Sequence, residues 1–308
     1  MKKRAVLLNP SSGSQRAEKN IERLKRLLKK HNIEHDLYIS KNEKHLITLT
    51  QKLAKEYKTI ICAGGDSTLL IMLNTIIQKK LSPILGFIGL GSSDDIVRDF
   101  GHISLEKAVE AIAKNKTTPI DIGYIKEKNK IISYFPGQAN IGLGVSVNRY
   151  VETLKKNKKF FGRLQALAGL TGIILAYKRK EIPLKLEIKT NNKILSAEYT
   201  IALFTKIKYW ASGLLIAPSA KLSDGKLQVV LFKNCSFFRL LRLALLAAKG
   251  KHIDEKEIQI ISGDSFTIKS DRSFSVQVDG EILKTGKKEK QFNTITIGVL
   301  RKKIKVLK

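Results

Sequence analysis

The first part of the chain alternates short apolar runs with longer segments whose apolar residues recur at helical spacing. The runs predict strands at residues 5–8, at 37–39, in the stretch before Gly64 and at 84–88. The helical spacing predicts helices over residues 16–30, around Leu46, Leu49 and Leu53, after Asp66 and over 104–115. This order predicts a parallel sheet covered by helices, with ligands outside the carboxyl ends of its strands.

The pattern changes after residues 119–123. Period-two alternation then predicts strands at residues 184–188, 199–204, 227–232 and 274–278, with a turn at 191–193. Helical spacing interrupts these runs near residues 160–178 and 236–249. We therefore predict a second, β-rich domain with antiparallel pairing and place the domain boundary near residue 122.

The turn Gly64-Gly65-Asp66-Ser67-Thr68 joins a predicted strand to a predicted helix. Glycines allow close backbone approach, so that successive N–H groups and the helix N-terminus can face one anion. Asp66 would then reach a phosphate through a metal ion. A plain turn with Asp66 as the helix N-cap is the alternative interpretation of this segment.

Two further small-residue turns follow predicted strands in the same way. They are Asn9-Pro10-Ser11-Ser12-Gly13 and Gly89-Leu90-Gly91-Ser92-Ser93-Asp94-Asp95. Because the carboxyl ends of parallel strands lie at one edge of a sheet, three such turns predict a shared anion site.

The chain is strongly basic, with 57 Lys and Arg against 27 Asp and Glu and a formal charge of +30. A lysine-rich solvated surface is one explanation, and an anionic partner is the other. The basic residues are spread along the chain without zinc-finger, RNP or basic-region motifs, so we expect no nucleic-acid partner. We favour reversible docking on an anionic membrane surface, which attracts basic residues by about 1 kcal/mol each.

Other residue types indicate the compartment. Cys62 and Cys235 are too few for a disulfide framework and predict buried thiols in a reducing environment. The apolar run after the basic N-terminus ends at Asn9-Pro10, which is too short for a signal peptide. We therefore expect a cytoplasmic protein that associates peripherally with membranes. The histidines lack zinc-binding spacing, and no G-x-S-x-G motif indicates a hydrolase.

Five motifs together carry a family resemblance. They are Asn9-Pro10-Ser11-Ser12-Gly13, Gly64-Gly65-Asp66-Ser67-Thr68, Gly91-Ser92-Ser93-Asp94-Asp95-Ile96-Val97-Arg98, Leu222-Ser223-Asp224-Gly225 and Asp279-Gly280-Glu281. In order and spacing, over nearly the whole chain, they resemble the diacylglycerol kinase catalytic-domain family of soluble bacterial lipid kinases, which includes sphingosine kinases.

The resemblance implies ATP- and Mg²⁺-dependent phosphorylation of a lipid hydroxyl, with diacylglycerol as the expected substrate and phosphatidic acid as product. It implies an α/β nucleotide-binding domain over residues 1–122, a β-rich lipid-binding domain over 123–294, and a cleft between them. The final segment, 295–308, is expected to return to the first domain. The nucleotide-binding residues implied are Asn9, Ser11, Gly13, Gly64, Gly65, Asp66, Ser67, Thr68, Gly91, Ser92, Asp94 and Asp95.

The same resemblance assigns roles to three carboxylates of the second domain. Asp279 is the expected catalytic base, with Glu281 beside it as a metal or network partner. Asp224 resembles the ligand of a structural metal, whereas by itself it is a hairpin Asp-Gly. The sequence leaves the oligomeric state open, with a homodimer as one alternative.

Three residues depart from the family pattern: Ser67 and Gly89 replace the usual glycine and proline, and Asp94 replaces an asparagine. An NAD kinase, which shares the Gly-Gly-Asp-Gly-Thr turn, and a non-catalytic nucleotide- or lipid-binding regulator are the alternative functions. The full third motif and Asp279-Gly280-Glu281 favour the lipid kinase. The apolar helices near residues 160–178 and 237–248 predict either core helices or a lipid-facing surface.

Overall fold

The computed structural model describes residues 3–156, 164–191 and 193–308. The elements of the first domain are β1 (Arg4–Leu8), α1 (Ser12–Lys19), α2 (Ile21–Lys30), β2 (His35–Ile39), α3 (Glu43–Glu56), β3 (Thr59–Gly64), α4 (Asp66–Gln78), β4 (Ile84–Gly89), α5 (Asp95–Asp99) and α6 (Leu105–Lys114).

Next come β5 (Thr117–Glu127), β6 (Lys130–Phe135), β7 (Gln138–Gly142), α7 (Leu143–Lys156), α8 (Leu164–Lys178), β8 (Leu184–Lys189), β9 (Ile194–Thr205), β10 (Tyr209–Trp210), β11 (Leu214–Leu215), β12 (Leu227–Lys233) and α9 (Phe237–Ala247). A 3₁₀ helix (Lys251–Asp254) precedes β13 (Ile258–Gly263), β14 (Ser265–Phe274), β15 (Val276–Val278), β16 (Glu281–Ile282), β17 (Lys284–Thr285), β18 (Lys288–Glu289) and β19 (Phe292–Leu307).

The first domain is a parallel sheet with helices on both faces. Its strands run in the order β2-β1-β3-β4, with Val6 of β1 opposite Leu37 and Ile61. The strands are apolar on both sides because α3 and α4 cover one face and α2 and α6 cover the other. This topology brings the turns after β1, β3 and β4 to one edge of the sheet.

The last strand connects the two domains. β19 pairs antiparallel with β5 and β14, and near its end Val306 pairs parallel with Leu85 of β4. β5 itself runs without interruption through residue 122, where the sequence places the domain boundary. One continuous sheet therefore passes from the first domain into the second.

The second domain is built from antiparallel strands. Along the path β14-β8-β9-β7-β15 every pair is antiparallel, and β12 pairs with β9 and β13. Phe135, Phe204 and Phe266 lie in its core, and α7, α8 and α9 pack on the sheet through a second apolar cluster. The two-domain class predicted from the sequence, α/β followed by antiparallel β-rich, is confirmed.

Several element bounds differ from the sequence predictions. The helix predicted over residues 16–30 is interrupted at Asn20, whose backbone leaves the helical region, giving α1 and α2. α7 was not predicted, because Gly144 and Asn148 dilute its apolar pattern. The predicted strand over 274–278 divides at Ser275.

Two predictions concern residues outside the described ranges. The helix predicted near 160–178 is described from Leu164 onward as α8, whereas Phe160 and Phe161 are not described. Asn192 of the predicted turn also lies outside those ranges. Among the helices in the described ranges, none combines the length and apolar character needed to cross a membrane.

Candidate active site

The turns after β1 and β3 are joined by hydrogen bonds around Thr68. Asn9 Nδ2 donates to Thr68 Oγ1 at 2.9 Å, and the hydroxyls of Ser12 and Thr68 are 3.1 Å apart. The Gly65 N–H donates to Ser12 Oγ at 3.3 Å. The two turns thus form one hydrogen-bonded unit at the start of α4.

The turn after β4 closes against this unit through glycine backbones. A Cβ on Gly65 would lie 3.0 Å from Gly91 Cα, and a Cβ on Gly91 would lie 2.7 Å from Gly65 Cα. Gly13 has a positive φ of 62° and a side chain there would collide with Leu90 O. Because no side chain fits between the three turns, their backbones lie close enough to surround one small anion.

A single cavity of about 1030 Å³ begins at these turns and continues into the second domain. Its polar wall contains Asn9, Ser11, Gly13, Gly65, Asp66, Ser67, Thr68, Gly91, Ser92, Asp95, Asp279 and Glu281. Asp279 and Glu281 come from the second domain, so the cavity lies in a cleft between the domains.

Two residues predicted to bind nucleotide lie behind this wall. A Cβ on Gly64 would lie 2.8 Å from Thr68 Oγ1, so this glycine provides room for the Thr68 side chain. Asp94 has a positive φ of 51° and its Oδ1 accepts the Gly91 N–H at 3.0 Å. In this structure Gly64 makes room for Thr68 and Asp94 holds the Gly91 turn, while nucleotide contact by these two residues stays a prediction.

Three aspartates converge on the polar part of the cavity. Asp66 Oδ2 accepts the Asp95 N–H at 3.2 Å, and Asp95 Oδ2 accepts the Ser212 N–H at 3.0 Å. Asp279 is 6% exposed, and its two oxygens accept the backbone N–H groups of Gly137 at 3.3 Å and Gln138 at 2.6 Å. The backbone thus fixes the orientation of the Asp279 carboxylate.

The environment raises the pKa of all three carboxyls. Burial, followed by the nearby charges of Asp94 and Asp95, raises the pKa of Asp66 to about 7. Burial also raises the pKa of Asp95 to about 6. Burial and the charges of Asp66 and Asp95 raise the pKa of Asp279 well above its usual value. The cluster therefore favours a cation or bound protons at neutral pH.

The carboxylates of Asp66 and Asp95 have the chemistry to hold a divalent cation. Asp95 Oδ1 is buried and has no hydrogen-bond partner among the described residues, which leaves a lone pair available toward the cavity side of α5. The described residues contain no complete set of three or more His, Cys, Asp or Glu ligands. This composition suits Mg²⁺, which binds one or two carboxylates and takes its other ligands from phosphates and water.

Ser67 connects the two domains. It is the second residue of α4 and adopts the helical conformation, so the usual glycine is not needed there to permit a positive φ. Its hydroxyl donates to Glu281 Oε1 at 2.6 Å. The replacement of glycine by serine thus adds a hydrogen bond across the cleft.

The far part of the cavity is apolar. α7, α8 and α9 and the sheet beneath them line it with Leu143, Val147, Val151, Ile173, Ile201, Ile216, Phe232, Phe237, Leu240, Leu241 and Ala244. This apolar compartment and the anion-binding turns are parts of one cavity. Asp279 lies on the wall of the same cavity. A ligand with a polar head and a long apolar tail matches this arrangement.

Asp224 lies away from this cavity and is bound to a lysine. Lys206 is fully buried, and its Nζ donates to Asp224 Oδ1 at 2.8 Å, Asp121 Oδ2 at 3.0 Å and Lys226 O at 2.6 Å. Although burial opposes ionisation of Asp224, its hydrogen bonds, above all with Lys206, keep its pKa below the usual value. The ammonium group stands where a metal would bind, so the surroundings of Asp224 do not fit a structural metal.

Several residues of the site were not found from the sequence. Gly137 and Gln138, which hold Asp279, lie in the segment Pro136-Gly137-Gln138, whose Pro-Gly pair could have indicated a functional turn. The hairpin of β10 and β11 covers α5, with Ser212 Oγ 3.1 Å from Ser93 Oγ and the Arg98 guanidinium over the Tyr209 ring. The apolar wall from α7 was missed together with the helix itself.

Comparisons with known proteins agree with this geometry. The sequence matches the family described as "Diacylglycerol kinase catalytic domain" over residues 3–125 and the "YegS C-terminal NAD kinase beta sandwich-like domain" over residues 137–300. A protein named diacylglycerol kinase from Staphylococcus haemolyticus is 26% identical over 279 residues, covering 90% of this chain and 81% of that protein.

A second relative and a solved structure give the same result. The protein named diacylglycerol kinase from Bacillus subtilis is 24% identical over 284 residues, which cover 91% of this chain and 90% of that protein. A crystal structure described as a diacylglycerol kinase from Bacillus anthracis has a TM-score of 0.71 at 16% identity and covers 99% of this chain and 96% of that one. At this identity the structural match demonstrates a shared fold.

Proposed function

Because the chain belongs to the diacylglycerol kinase catalytic-domain family, we propose that it transfers the γ-phosphate of ATP to the hydroxyl of diacylglycerol and forms phosphatidic acid. The reaction class, transfer of phosphate to a hydroxyl acceptor, is that of the family. The observation that carries the proposal is the single cavity that joins the glycine turns, Asp279 and the apolar compartment.

The glycine turns would hold the phosphates. The start of α4 and Gly91 line the cavity, and the N-terminus of α4 adds the unpaired N–H groups of its first turn and partial positive charge. Asn9 and Thr68 keep the turns in register through their side-chain hydrogen bond. This arrangement stabilises negative charge without requiring a lysine.

Asp66 and Asp95 would hold a Mg²⁺ ion. Their raised pKa values and the unpartnered Oδ1 of Asp95 support this role, because a cation favours the ionised carboxylates. When bound, Mg²⁺ would neutralise the charge that develops on the transferred phosphoryl group.

Asp279 would act as the general base. Its carboxylate accepts the proton of the lipid hydroxyl while the hydroxyl oxygen bonds to the γ-phosphorus and the bond to ADP breaks. The N–H groups of Gly137 and Gln138 orient the carboxylate, and its burial excludes water from the reacting atoms. Glu281, held by Ser67 across the cleft, would keep the two domains closed around the substrates.

The lipid would place its acyl chains in the apolar compartment. Most of the residues that line it from α7, α8 and α9 are apolar, with Asn148 and Glu152 of α7 as the polar exceptions, so the compartment suits acyl chains better than a polar acceptor such as the nicotinamide half of NAD. A diacylglycerol resides in a membrane, so the protein would work from the cytoplasm as a peripheral enzyme on an anionic surface. The formal charge of +30 supports that location.

A substrate panel tests the proposal. The purified chain is incubated with ATP, Mg²⁺ and either diacylglycerol, a sphingoid base or NAD, and phosphorylated product is quantified. We expect transfer to diacylglycerol, and loss of transfer when the divalent cation is chelated. Transfer to NAD alone would make the protein an NAD kinase. ATP binding without transfer to any acceptor would instead indicate a regulator.

A further inference from the structure

α9 is apolar on both of its faces, but only one of them is buried by the protein. Leu240, Leu243 and Ala247 pack into the core. On the other side, Phe238 is 80% exposed, Leu241 43% and Leu245 70%. A soluble surface seldom leaves several large apolar side chains together in water, and such a patch marks an interaction site.

The neighbouring helix extends this apolar surface. α8 packs against α9 and exposes Leu170 and Ile174. We call these five side chains, Leu170, Ile174, Phe238, Leu241 and Leu245, the α8–α9 patch.

The patch is continuous with the apolar compartment of the cavity. Leu241 belongs to both, because it is part of the exposed surface and also lines the cavity. Its neighbours Phe237 and Ala244 line the cavity as well. An apolar molecule at the patch would therefore reach the compartment beside Asp279 along a single helix.

The charged residues around the patch indicate which kind of partner it binds. Residues 164–178 and 237–247 contain no Asp or Glu, and the exposed cations Lys178, Arg242 and Lys249 lie at the ends or on the face of the two helices. Of the carboxylates beside α9, Glu255 and Glu257 are neutralised by ion pairs with Arg239, and Asp254 is exposed. A second copy of this chain would bring two such cationic rims together. A lipid bilayer with anionic headgroups matches both the cations and the apolar side chains.

We propose that the α8–α9 patch inserts into the surface of an anionic membrane and forms the entrance for the lipid substrate. The entrance role depends on the proposed function, whereas docking itself does not. Phe238 and Leu245 would lie among the acyl chains and Arg242 at the phosphate level.

Vesicle co-sedimentation tests the proposal. The probes are vesicles of phosphatidylcholine alone and of phosphatidylcholine with phosphatidylglycerol. The variants are Phe238→Ser and Leu245→Ser, whose side chains do not line the cavity, and the control is Ile103→Ser, an equally apolar residue that is 63% exposed in the first domain.

We expect the intact protein to bind the anionic vesicles and to bind less as salt is raised. Each patch variant should bind about tenfold more weakly, because it loses the burial of a large apolar side chain in the membrane. The control should bind like the intact protein. Equal binding by the patch variants and the intact protein would overturn the proposal. A wild-type dimer that Phe238→Ser converts to a monomer would also overturn it and assign the patch to self-association.

A second assay separates this proposal from the proposed function. Phe238→Ser should lose more activity on diacylglycerol in anionic vesicles than on a short-chain diacylglycerol dispersed in detergent, because the dispersed substrate no longer comes from a bilayer. If no lipid is phosphorylated but the patch variants still lose vesicle binding, the kinase proposal fails and the docking proposal stands. If phosphorylation proceeds and vesicle binding is unchanged by the variants, the docking proposal fails and the kinase proposal stands.

Discussion

At the scale of single residues, Asp279 combines three properties that a general base needs. It lines the cavity, it is almost fully buried, and two backbone N–H groups fix both of its oxygens. Its positive φ of 43° places the carboxylate against Gly137 and Gln138. The absence of a side chain at Gly137 leaves room for this carboxylate, because a Cβ at that position would collide with Asp279 Oδ1.

Asp279→Asn should lower kcat by about 10²–10⁴-fold, because an amide cannot accept the hydroxyl proton. Nucleotide affinity should remain unchanged, since the turns of the first domain would hold the phosphates. Turnover assays and titration calorimetry measure the two effects. Asp271→Asn, which removes an exposed carboxylate of the same domain, is the matched control. An unchanged kcat in Asp279→Asn would exclude this residue as the base.

The Ser67–Glu281 pair permits a second test at this scale. A hydrogen bond of 2.6 Å to a carboxylate across the cleft should give a coupling energy of about 1 kcal/mol. Chemical denaturation of Ser67→Ala, Glu281→Ala and the double variant measures it as a double-mutant cycle. Strictly additive effects on the free energy of unfolding would show that the contact does not stabilise the closed cleft.

At the scale of elements, the site depends on how α4 and α5 begin. Each helix has an aspartate in its first turn, Asp66 and Asp95, and the parallel sheet brings the two N-termini together. The helix N-termini favour negative charge, but burial and mutual repulsion oppose it more strongly, so the pKa of both carboxyls rises. The two helix ends are therefore set to bind a cation.

This arrangement predicts a specific pH dependence. Both carboxyls have folded-state pKa values, about 7 for Asp66 and about 6 for Asp95, above their ordinary value of 3.8. Between pH 4 and pH 7 the folded state thus binds more protons than the unfolded state, and the free energy of unfolding falls as pH rises. Mg²⁺ should therefore raise Tm more at pH 8 than at pH 5.

Thermal denaturation with and without Mg²⁺ checks this prediction, with Asp66→Asn as the variant and Asp271→Asn as the control. Asp66→Asn should be less sensitive to pH across this window and should lose most of the Mg²⁺ effect. The same Mg²⁺-induced rise in Tm for Asp66→Asn and the intact protein would place the cation elsewhere.

At the scale of the whole molecule, a buried ion pair fastens the domains together. Asp121 of β5 is fully buried; its Oδ2 accepts hydrogen bonds from Lys206 Nζ and, at 2.6 Å, from the Gly225 N–H, while its Oδ1 accepts one from Lys302 N at 2.8 Å. Lys206 uses all three of its N–H groups, one on Asp121 of β5 and two on Asp224 and Lys226 of the turn before β12. The first domain, the second domain and β19 therefore meet at one network.

Lys206→Met should lower the free energy of unfolding by about 3–5 kcal/mol, because it leaves the carboxylate of Asp121 buried without a counter-charge. Lys185→Met, at an exposed position of β8, is the matched control and should change it little. Denaturant titration measures both. A small effect of Lys206→Met would contradict the assigned role of this pair.

The hydrogen bonds of Lys206 also predict that Asp224 binds no metal ion. In the Asp66→Asn background, Asp224→Asn should not change the small remaining effect of divalent cations on Tm, because Lys206 already neutralises Asp224. A remaining cation-dependent shift that is abolished by Asp224→Asn would establish the structural metal that the sequence resemblance implied.

The sequence by itself determined the order of the elements and the chemistry of the turns. Periodicity depends on neighbouring residues, so strands such as β1 and β4 and the helix α6 were predicted close to their bounds. The glycine, serine and aspartate motifs were recognisable because their residue types and spacing are local. The place of Asp279 in the same site was implied by the family resemblance and not by the local pattern, which by itself indicates an Asp-Gly turn.

Only the tertiary structure decided which distant residues meet. The partners of Asp279 and Ser67 lie 141 and 214 residues away, and nothing in the local sequence encodes such a contact. Asp224 turns toward Lys206, 18 residues away, for the same reason. The sequence pattern also left open which face of α9 is buried, because the helix is apolar around most of its circumference. Its exposure depends on how the sheet and α8 pack against it.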